Sequence, residues 1–278
     1  MSQTVIFPGA IAFDRENENM PAILDLKNLE KTFVGRNDVR VDAVRDFSLS
    51  VQENEFVSLV GPSGCGKSTL LRIIAGLLPC DSGKVIYRGN DVTKPDKRLG
   101  MVFQNYSLLP WKTVIDNIAL GLEFGGMKLS ARRAIALDFL RLIHMERFAQ
   151  SRPYELSGGM QQRVAIARAL ANDPDVILMD EPFGALDAYT RIILQRELLQ
   201  IWERKRKTIL FVTHSVDEAV YLADRIVVIK AGRLEREIPV NFPRPRARDD
   251  PRYGQATAAV LELLWQGSGE IWSGEGDL

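Results

Sequence analysis

The sequence has no long apolar run, few cysteines and no excess of either charge. No stretch approaches the roughly 18–20 consecutive apolar residues that span a bilayer, and the first apolar segment, Val5 to Phe13, contains Pro8 and Gly9. The two cysteines, Cys65 and Cys80, form no disulfide framework and fit a reducing compartment. Lys plus Arg and Asp plus Glu each total 36, so a net charge of zero gives no electrostatic footprint for nucleic acid. We predict a cytoplasmic protein that binds no nucleic acid and needs another subunit for any membrane-spanning role.

The pattern that is present is that of an α/β protein. Apolar residues make up 46% of the 278 residues, which is enough for a sizeable core. Short apolar runs alternate with helical segments, and this alternation predicts parallel βαβ units. We expect a loose tail at residues 1–21, a main domain at 22–245 with a helical insertion at about 105–160, and an extension at 246–278 with one short helix at 257–265 and disorder after it. In the insertion, we expect an apolar helix face formed by Leu137, Phe139, Leu140 and Ile143.

A glycine-rich stretch follows an apolar strand that we predict at 55–60. It consists of Gly61, Pro62, Ser63, Gly64, Cys65, Gly66, Lys67 and Ser68. This is the phosphate-loop pattern in its required place between a strand and a helix. Backbone amides of such a loop converge on phosphate oxygens, so we expect a nucleotide site that also includes Thr69, with Lys67 at the β- and γ-phosphates and Ser68 on Mg²⁺. The alternative is a glycine-rich turn that matches by chance, and Cys65 is expected to be only a small loop residue.

Two adjacent carboxylates end another apolar strand, residues 176–179. Ligands bind at this end of strands in parallel sheets, so we expect Asp180 in the Mg²⁺ shell and Glu181 as the base that orients and deprotonates a water molecule. An N-cap for the next helix is the alternative. Gln104 and His214 also end predicted strands, and we expect Gln104 at Mg²⁺ or water and His214 at the γ-phosphate. His144 lies in a helical stretch and is expected to be solvated.

The pentapeptide Leu156 to Met160 has two interpretations. Ser157 is a suitable N-cap for a helix that extends to about Ala171. Gly158 and Gly159 could instead present bare amides, beside the Ser157 hydroxyl, to a phosphate at the positive helix end. Capping alone does not require two glycines, each of which weakens a helix by up to about 1 kcal/mol. We therefore favour a second phosphate-binding surface that serves another copy of the chain.

Together and in this order, these elements resemble the nucleotide-binding subunits of ATP-binding cassette transporters over about residues 23 to 240. The similarity assigns Gly61–Ser68 to the Walker A loop, Gln104 to the Q-loop, Leu156–Met160 to the signature motif, Asp180 and Glu181 to the end of Walker B, Asp187 to the D-loop and His214 to the switch histidine. It implies an α/β fold: a P-loop NTPase core with a parallel sheet flanked by helices, an N-terminal antiparallel β subdomain and a helical lobe that carries the signature.

The resemblance also implies partners and ligands. Two cassettes, most simply a homodimer, would each hold ATP and Mg²⁺ between one copy's Walker A loop and the other copy's signature, with Asp187 at the nucleotide. An aromatic residue of the first hairpin stacks on adenine in the family, and Phe33 is in a suitable position. Met160 replaces the commoner glutamine, as in importers similar to the nitrate, sulfonate and taurine group. The resemblance therefore implies a cassette on the cytoplasmic face of the membrane, a permease docked near Gln104–Trp111 and, indirectly, an extracytoplasmic solute-binding protein.

Other functions remain possible at the level of sequence. A cassette of a lipid or lipoprotein transport system is the closest rival, and cassette proteins of DNA repair, chromosome structure or translation are another class. The latter usually carry long coiled coils, zinc cysteines or two cassettes, none of which is present in this sequence. The basic runs Arg204–Lys207 and Arg244, Arg246 and Arg248 are expected to be solvated, with anionic lipid as the alternative partner.

Overall fold

An antiparallel sheet forms one side of the molecule. The computed structural model describes residues 22–35 and 38–266; the tail predicted at 1–21 and the disorder predicted after 266 lie outside these residues. The strand order is β2-β1-β4-β5, with every neighbouring pair antiparallel. The strands are β1 (Leu24–Val34), β2 (Arg40–Val51), β4 (Ser82–Tyr87) and β5 (Asn90–Asp91). The implied N-terminal antiparallel subdomain is confirmed.

A six-stranded sheet forms the centre of the main domain. Its order is β10-β9-β3-β8-β7-β6, with all pairs parallel except β10 with β9. The strands are β3 (Phe56–Val60), β6 (Leu99–Val102), β7 (Val176–Asp180), β8 (Thr208–Thr213), β9 (Arg225–Lys230) and β10 (Arg233–Pro239). Every residue of β3, β7 and β8 is buried. This explains the continuous apolar runs, since helices cover both faces of a parallel sheet.

The helices divide between the sheet and a helical lobe. They are α1 (Lys67–Ile74), α2 (Val114–Ile118), α3 (Leu120–Phe124), α4 (Leu129–Leu142), α5 (Gly158–Ala171), α6 (Ala188–Lys205), α7 (Val216–Leu222) and α8 (Pro251–Trp265). Helices α2, α3 and α4 pack on α5, which also packs on β6. Leu140 and Ile143 are buried in this lobe as predicted, whereas Leu137 is 37% exposed. Leu137 is therefore wrongly assigned to the apolar face.

Several boundaries differ from the sequence predictions for local reasons. Helix α1 ends at Ile74, earlier than the predicted Leu77, because Gly76 has a φ of 69° and turns the chain. Strand β6 ends at Val102, so Gln104 lies beyond the strand and does not end it. Helix α8 begins six residues early because Asp250 caps it and Pro251 suits its first position.

The prediction that the second basic run is solvated is wrong for Arg246. This side chain is 4% exposed, and it donates to backbone carbonyl oxygens of α7 and of the segment after β10. The first run fits the prediction better, since α6 ends at Lys205 and the residues around it are exposed.

Candidate active site

The phosphate-loop stretch, residues 61–68, connects β3 to α1 and encloses a lysine side chain. Gly66 has a φ of 100°, and a Cβ atom there would lie 1.9 Å from the carbonyl oxygen of Ala43. Strand β2 therefore lies against the loop, and only glycine fits this position. The Lys67 ammonium donates to the carbonyl oxygens of Gly61 and Pro62 at 2.8 and 2.9 Å. The loop thus holds a positive charge next to the N-terminus of α1, which is where a polyphosphate binds.

Cys65 is a buried thiol in this loop. Burial raises the pKa of Cys65, and the charge of Lys67 opposes that shift without cancelling it. A thiol with a raised pKa stays protonated and is a poor nucleophile. The interpretation of Cys65 as a small loop residue is consistent with this environment. Thr69 follows in the first turn of α1 and is half-buried.

Ser68 and Asp180 form the candidate magnesium site. The Ser68 hydroxyl, in the first turn of α1, donates to Oδ1 of Asp180, the last residue of β7, at 2.8 Å. Burial raises the pKa of Asp180, and the hydrogen bond from Ser68 only partly opposes this. A hydroxyl and a carboxylate are the hard oxygen ligands that suit Mg²⁺ beside substrate phosphates. The pair therefore fits Mg²⁺, which would neutralise phosphate charge when bound. Its positive charge would also stabilise the ionised form of the buried Asp180.

Glu181 contacts two of the polar side chains predicted to share its site. Its Oε2 atom lies 3.2 Å from Nδ1 of His214 and 3.3 Å from Nε2 of Gln104. The three residues follow β7, β8 and β6, which are neighbours in the sheet, so they share its carboxyl edge. Glu181 has a φ of 44°, a costly conformation for a non-glycine residue that is typical of functional sites. A carboxylate held between an imidazole and an amide is well placed to accept a proton from water.

Gln104 is the predicted residue whose contacts differ most from expectation. Its amide bonds to Glu181, and no hydrogen bond in the described part of the chain links it to Ser68 or Asp180. Its proposed contact with Mg²⁺ therefore stays a prediction.

The pentapeptide begins α5 and contains two glycines with different surroundings. Ser157 is the N-cap, and its hydroxyl accepts from the amide of Met160 at 3.4 Å. A Cβ atom on Gly159 would lie 2.7 Å from Cγ2 of Thr190, so close packing of α5 on α6 requires this glycine. A Cβ atom on Gly158 would make only ordinary contacts at 3.6 Å. On the sequence alone, helix capping requires neither glycine. Packing does require Gly159, so the expectation that structure needs neither glycine is wrong for Gly159 and holds only for Gly158.

The pentapeptide lies on the β6 side of the sheet. Helix α5 packs on β6, and two strands stand between β6 and β3, which leads into the phosphate loop. Three strand spacings correspond to about 14 Å. In the described ranges, no hydrogen bond joins residues 157–159 to residues 61–68. This arrangement agrees with a pentapeptide that serves a nucleotide other than its own.

The nucleotide contacts of Asp187 and Phe33 stay predictions, and both residues have defined surroundings. Asp187 caps α6, and hydrogen bonds from Thr190 lower the pKa of its carboxyl. Phe33 pairs with Val41 near the point where β2 touches the phosphate loop, and its ring is 41% exposed. Both positions lie on the surface, where a ligand can reach them.

A buried pair beside His214, Thr213 and Glu218, was not predicted from the sequence. Thr213 donates to Oε2 of Glu218 at 2.5 Å, and burial raises the pKa of that carboxyl. Arg191 approaches Glu218 at 3.5 Å and donates to the carbonyl oxygen of Leu186, next to Asp187. The sequence indicates this arrangement only through Ser215, which is followed three residues later by Glu218 in the pattern of a capping box.

Comparison with known proteins identifies the family. The family model described as ABC transporter matches residues 44–184. An uncharacterized ABC transporter ATP-binding protein of Methanocaldococcus jannaschii is 50% identical over 90% of this chain and 94% of its own length. A taurine import ATP-binding protein of Rhizobium johnstonii is 47% identical, covering 83% and 89%. A nitrate import ATP-binding protein of Synechococcus elongatus is 46% identical, covering 81% and 85%.

Solved structures agree with this result. A dimeric ATP-binding cassette in a post-hydrolysis state, bound to ADP and Pi, is 39% identical and superimposes with a TM-score of 0.71, covering 79% of this chain and 100% of its own. The phosphate loop, the acidic pair and the helical lobe described above therefore occur in a known cassette fold. The chain belongs to the ATP-binding cassette transporter family, and it is an ATP-hydrolysing cassette of that family.

Proposed function

We propose that this chain powers the import of a small anion of the nitrate, sulfonate or taurine kind. The observation that carries the proposal is Glu181 held between His214 and Gln104, together with a pentapeptide of the importer type that starts a helix on the β6 side of the sheet. The taurine and nitrate import proteins that resemble this chain support the choice of substrate class. The cassette works as a homodimer on the cytoplasmic face of the membrane, and a solute-binding protein outside delivers the anion to the permease.

In this proposal each residue of the site has a separate role in ATP binding or hydrolysis. Lys67 binds the β- and γ-phosphates, while Ser68 and Asp180 hold Mg²⁺. Glu181 takes the proton of the attacking water, and His214 and Gln104 orient Glu181 and the γ-phosphate. Ser157, Gly158 and Gly159 of the second copy close over the phosphate, and Asp187 contacts the nucleotide.

The permease is proposed to dock on the segment from Gln104 to Trp111. The Trp111 side chain is 67% exposed. Arg168 of α5 donates to the carbonyl oxygens of Tyr106 and Ser107 at 2.7 and 2.6 Å. This segment is therefore tied to the helix that begins with the pentapeptide, and movement at one can reach the other. Within residues 22–35 and 38–266, no helix combines the length and apolar character needed to cross a bilayer.

Uptake in the source cell tests the proposed function. A strain without the gene should lose uptake of labelled nitrate, taurine or an alkanesulfonate, and the unmodified gene should restore it. A Trp111→Ala gene should restore it poorly, because the exposed ring no longer contacts the permease. Leu77→Ala removes a side chain that is 49% exposed elsewhere and serves as the control. Unchanged uptake of all three anions together with a lipid-transport defect would favour the lipid system instead.

Phe33→Ala is expected to weaken nucleotide binding by about 1–3 kcal/mol, the usual worth of stacking between an aromatic ring and a base. Hydrolysis at saturating ATP should persist, since the ring lies outside the phosphate site. Fluorescence titration with a labelled nucleotide measures the change. Val34→Ala alters the next residue, which is 62% exposed, and should leave affinity unchanged. Equal affinities in the Phe33 variant and the unmodified chain would reject the assignment.

A further inference from the structure

Helix α7 is short and follows His214 almost directly. It spans seven residues, Val216–Leu222, and Ser215 caps it. Isolated helices of this length are only marginally stable in water, so contacts with other segments determine the position of α7. Between β10 and α8 the chain supplies three arginines at alternate positions, Arg244, Arg246 and Arg248. We call them the arginine clamp.

Two arginines of the clamp hold the C-terminal end of α7. Arg244 donates to the carbonyl oxygen of Leu222 at 2.5 Å. Arg246 donates to the carbonyl oxygens of Val220 and Ala223 at 2.8 and 2.6 Å. Carbonyl groups at a helix end lack partners within the helix, and a cation there is favoured by the helix dipole. Burial lowers the pKa of Arg246 to about 10, so the guanidinium remains charged at neutral pH.

The third arginine holds the N-terminal end. Arg248 donates to both carboxylate oxygens of Asp217 at 2.9 and 2.7 Å, and to Gln195 of α6 at 3.1 Å. Tyr253 of α8 donates to the same carboxylate at 2.6 Å. Burial raises the pKa of Asp217, but the hydrogen bonds from Arg248 and Tyr253 outweigh it, and the net shift is downward. Asp217 is therefore ionised and fixed within the first turn of α7.

That first turn leads directly to the active site. Glu218, next to Asp217, binds the Thr213 hydroxyl at 2.5 Å. His214 lies between Thr213 and Ser215, and its Nδ1 atom is 3.2 Å from Glu181. A shift of α7 by a fraction of an ångström would change that distance.

We propose that the arginine clamp sets the position of α7 and, through it, the position of His214 against Glu181. Arg248 is then a positioning residue for hydrolysis, because its guanidinium joins α6 and α7 through Gln195 and Asp217. Among the residues that the structure describes, it contacts none of those predicted to bind the nucleotide. The proposal rests on the proposed role of His214 in hydrolysis, whereas the placement of His214 is measurable without any turnover.

Histidine NMR on the full chain measures this placement directly. The chain has two histidines, so ¹³Cε1-labelled histidine gives one signal from His214 and one from His144 as an internal reference. Arg248→Gln should move or broaden the His214 signal and leave the His144 signal in place. Arg98→Gln is the matched control, since Arg98 pairs with Asp96 just before β6 and contacts none of the clamp's partners in the described part of the chain, and neither signal should move. An unmoved His214 signal in folded Arg248→Gln would overturn the clamp.

Kinetics supplies a second readout that a general loss of stability would not mimic. Arg248→Gln should lower kcat about ten- to a hundredfold with little change in KM, the range expected when a reacting group is misplaced. In a His214→Ala background the same change should have no further effect, because the two residues act in one unit. Tyr253→Phe, which removes one hydrogen bond and keeps the ring, should shift the His214 signal in the same direction by less. If Arg248→Gln lowers kcat by the same factor with and without His214, the proposal is contradicted. If Arg248→Gln does not fold, an unmoved His214 signal in Tyr253→Phe contradicts it instead.

Discussion

Replacing Glu181 by Gln is expected to lower ATP hydrolysis about 10²- to 10⁴-fold while ATP remains bound, since removing a general base costs that much. The loss corresponds to roughly 3–5 kcal/mol of activation barrier. The amide keeps the size of the carboxylate and can still contact His214 and Gln104, which lie at 3.2 and 3.3 Å. It cannot take a proton from water, so hydrolysis slows while the phosphate-binding residues are unaltered.

Phosphate release in a single turnover measures the loss of hydrolysis, and equilibrium binding of labelled ATP measures whether affinity is kept. The bound ATP should also hold two copies together, so sedimentation with ATP should show a dimer for Glu181→Gln. Glu203→Gln, at an exposed position on α6, is the control and should hydrolyse ATP normally. Hydrolysis by Glu181→Gln close to that of the unmodified chain would mean that another group is the base.

The adjacent carboxylates have different partners because a strand directs successive side chains to opposite sides. Asp180, the last residue of β7, meets the Ser68 hydroxyl, whereas Glu181, in its left-handed conformation, meets His214. The sequence alone predicted that the two carboxylates face different sides, because they stand at the end of a buried parallel strand. Strand ends in a parallel sheet share an edge whatever the intervening segments contain. The approach of Gln104 and His214 to this edge was therefore predictable, although both lie just beyond their strands and the contact of Gln104 with Glu181 was not predicted.

Contacts between distant segments were less predictable. The guanidinium of Arg246 is buried by carbonyl oxygens more than 20 residues earlier, and nothing in the local run of prolines and arginines indicates a buried charge. Gly159 likewise owes its identity to Thr190, a residue on another helix. Leu137 was wrongly predicted to be buried, because the helical period of apolar residues does not determine which of several neighbouring apolar residues faces the lobe. In each case the deciding partner lies far along the chain.

Introducing aspartate at position 158 is expected to abolish hydrolysis while leaving the fold intact. Gly158 is the first residue of α5, where an acidic side chain is favoured by the helix dipole by about 0.3–1 kcal/mol. An added Cβ atom would meet Leu186 and Tyr106 only at 3.6 Å. If the pentapeptide closes over the partner's γ-phosphate, the same carboxylate opposes a negative charge, at about 4 kcal/mol for unit charges about 4 Å apart at an effective dielectric of roughly 20. The structural and functional interpretations therefore predict effects of opposite sign.

Thermal unfolding, ATP affinity and phosphate release together separate these interpretations. Gly158→Asp should unfold at or above the temperature of the unmodified chain and bind ATP through its own phosphate loop, yet fail to form the ATP-dependent dimer or release phosphate. Ser130→Asp places the same charge in the exposed first turn of α4 and is the control. Gly159→Ala cannot serve this purpose, because its Cβ atom would clash with Thr190 at 2.7 Å and unsettle the packing of α5 on α6. If Gly158→Asp hydrolyses ATP normally, the pentapeptide is only a helix start, and the case for a site shared between two copies fails with it.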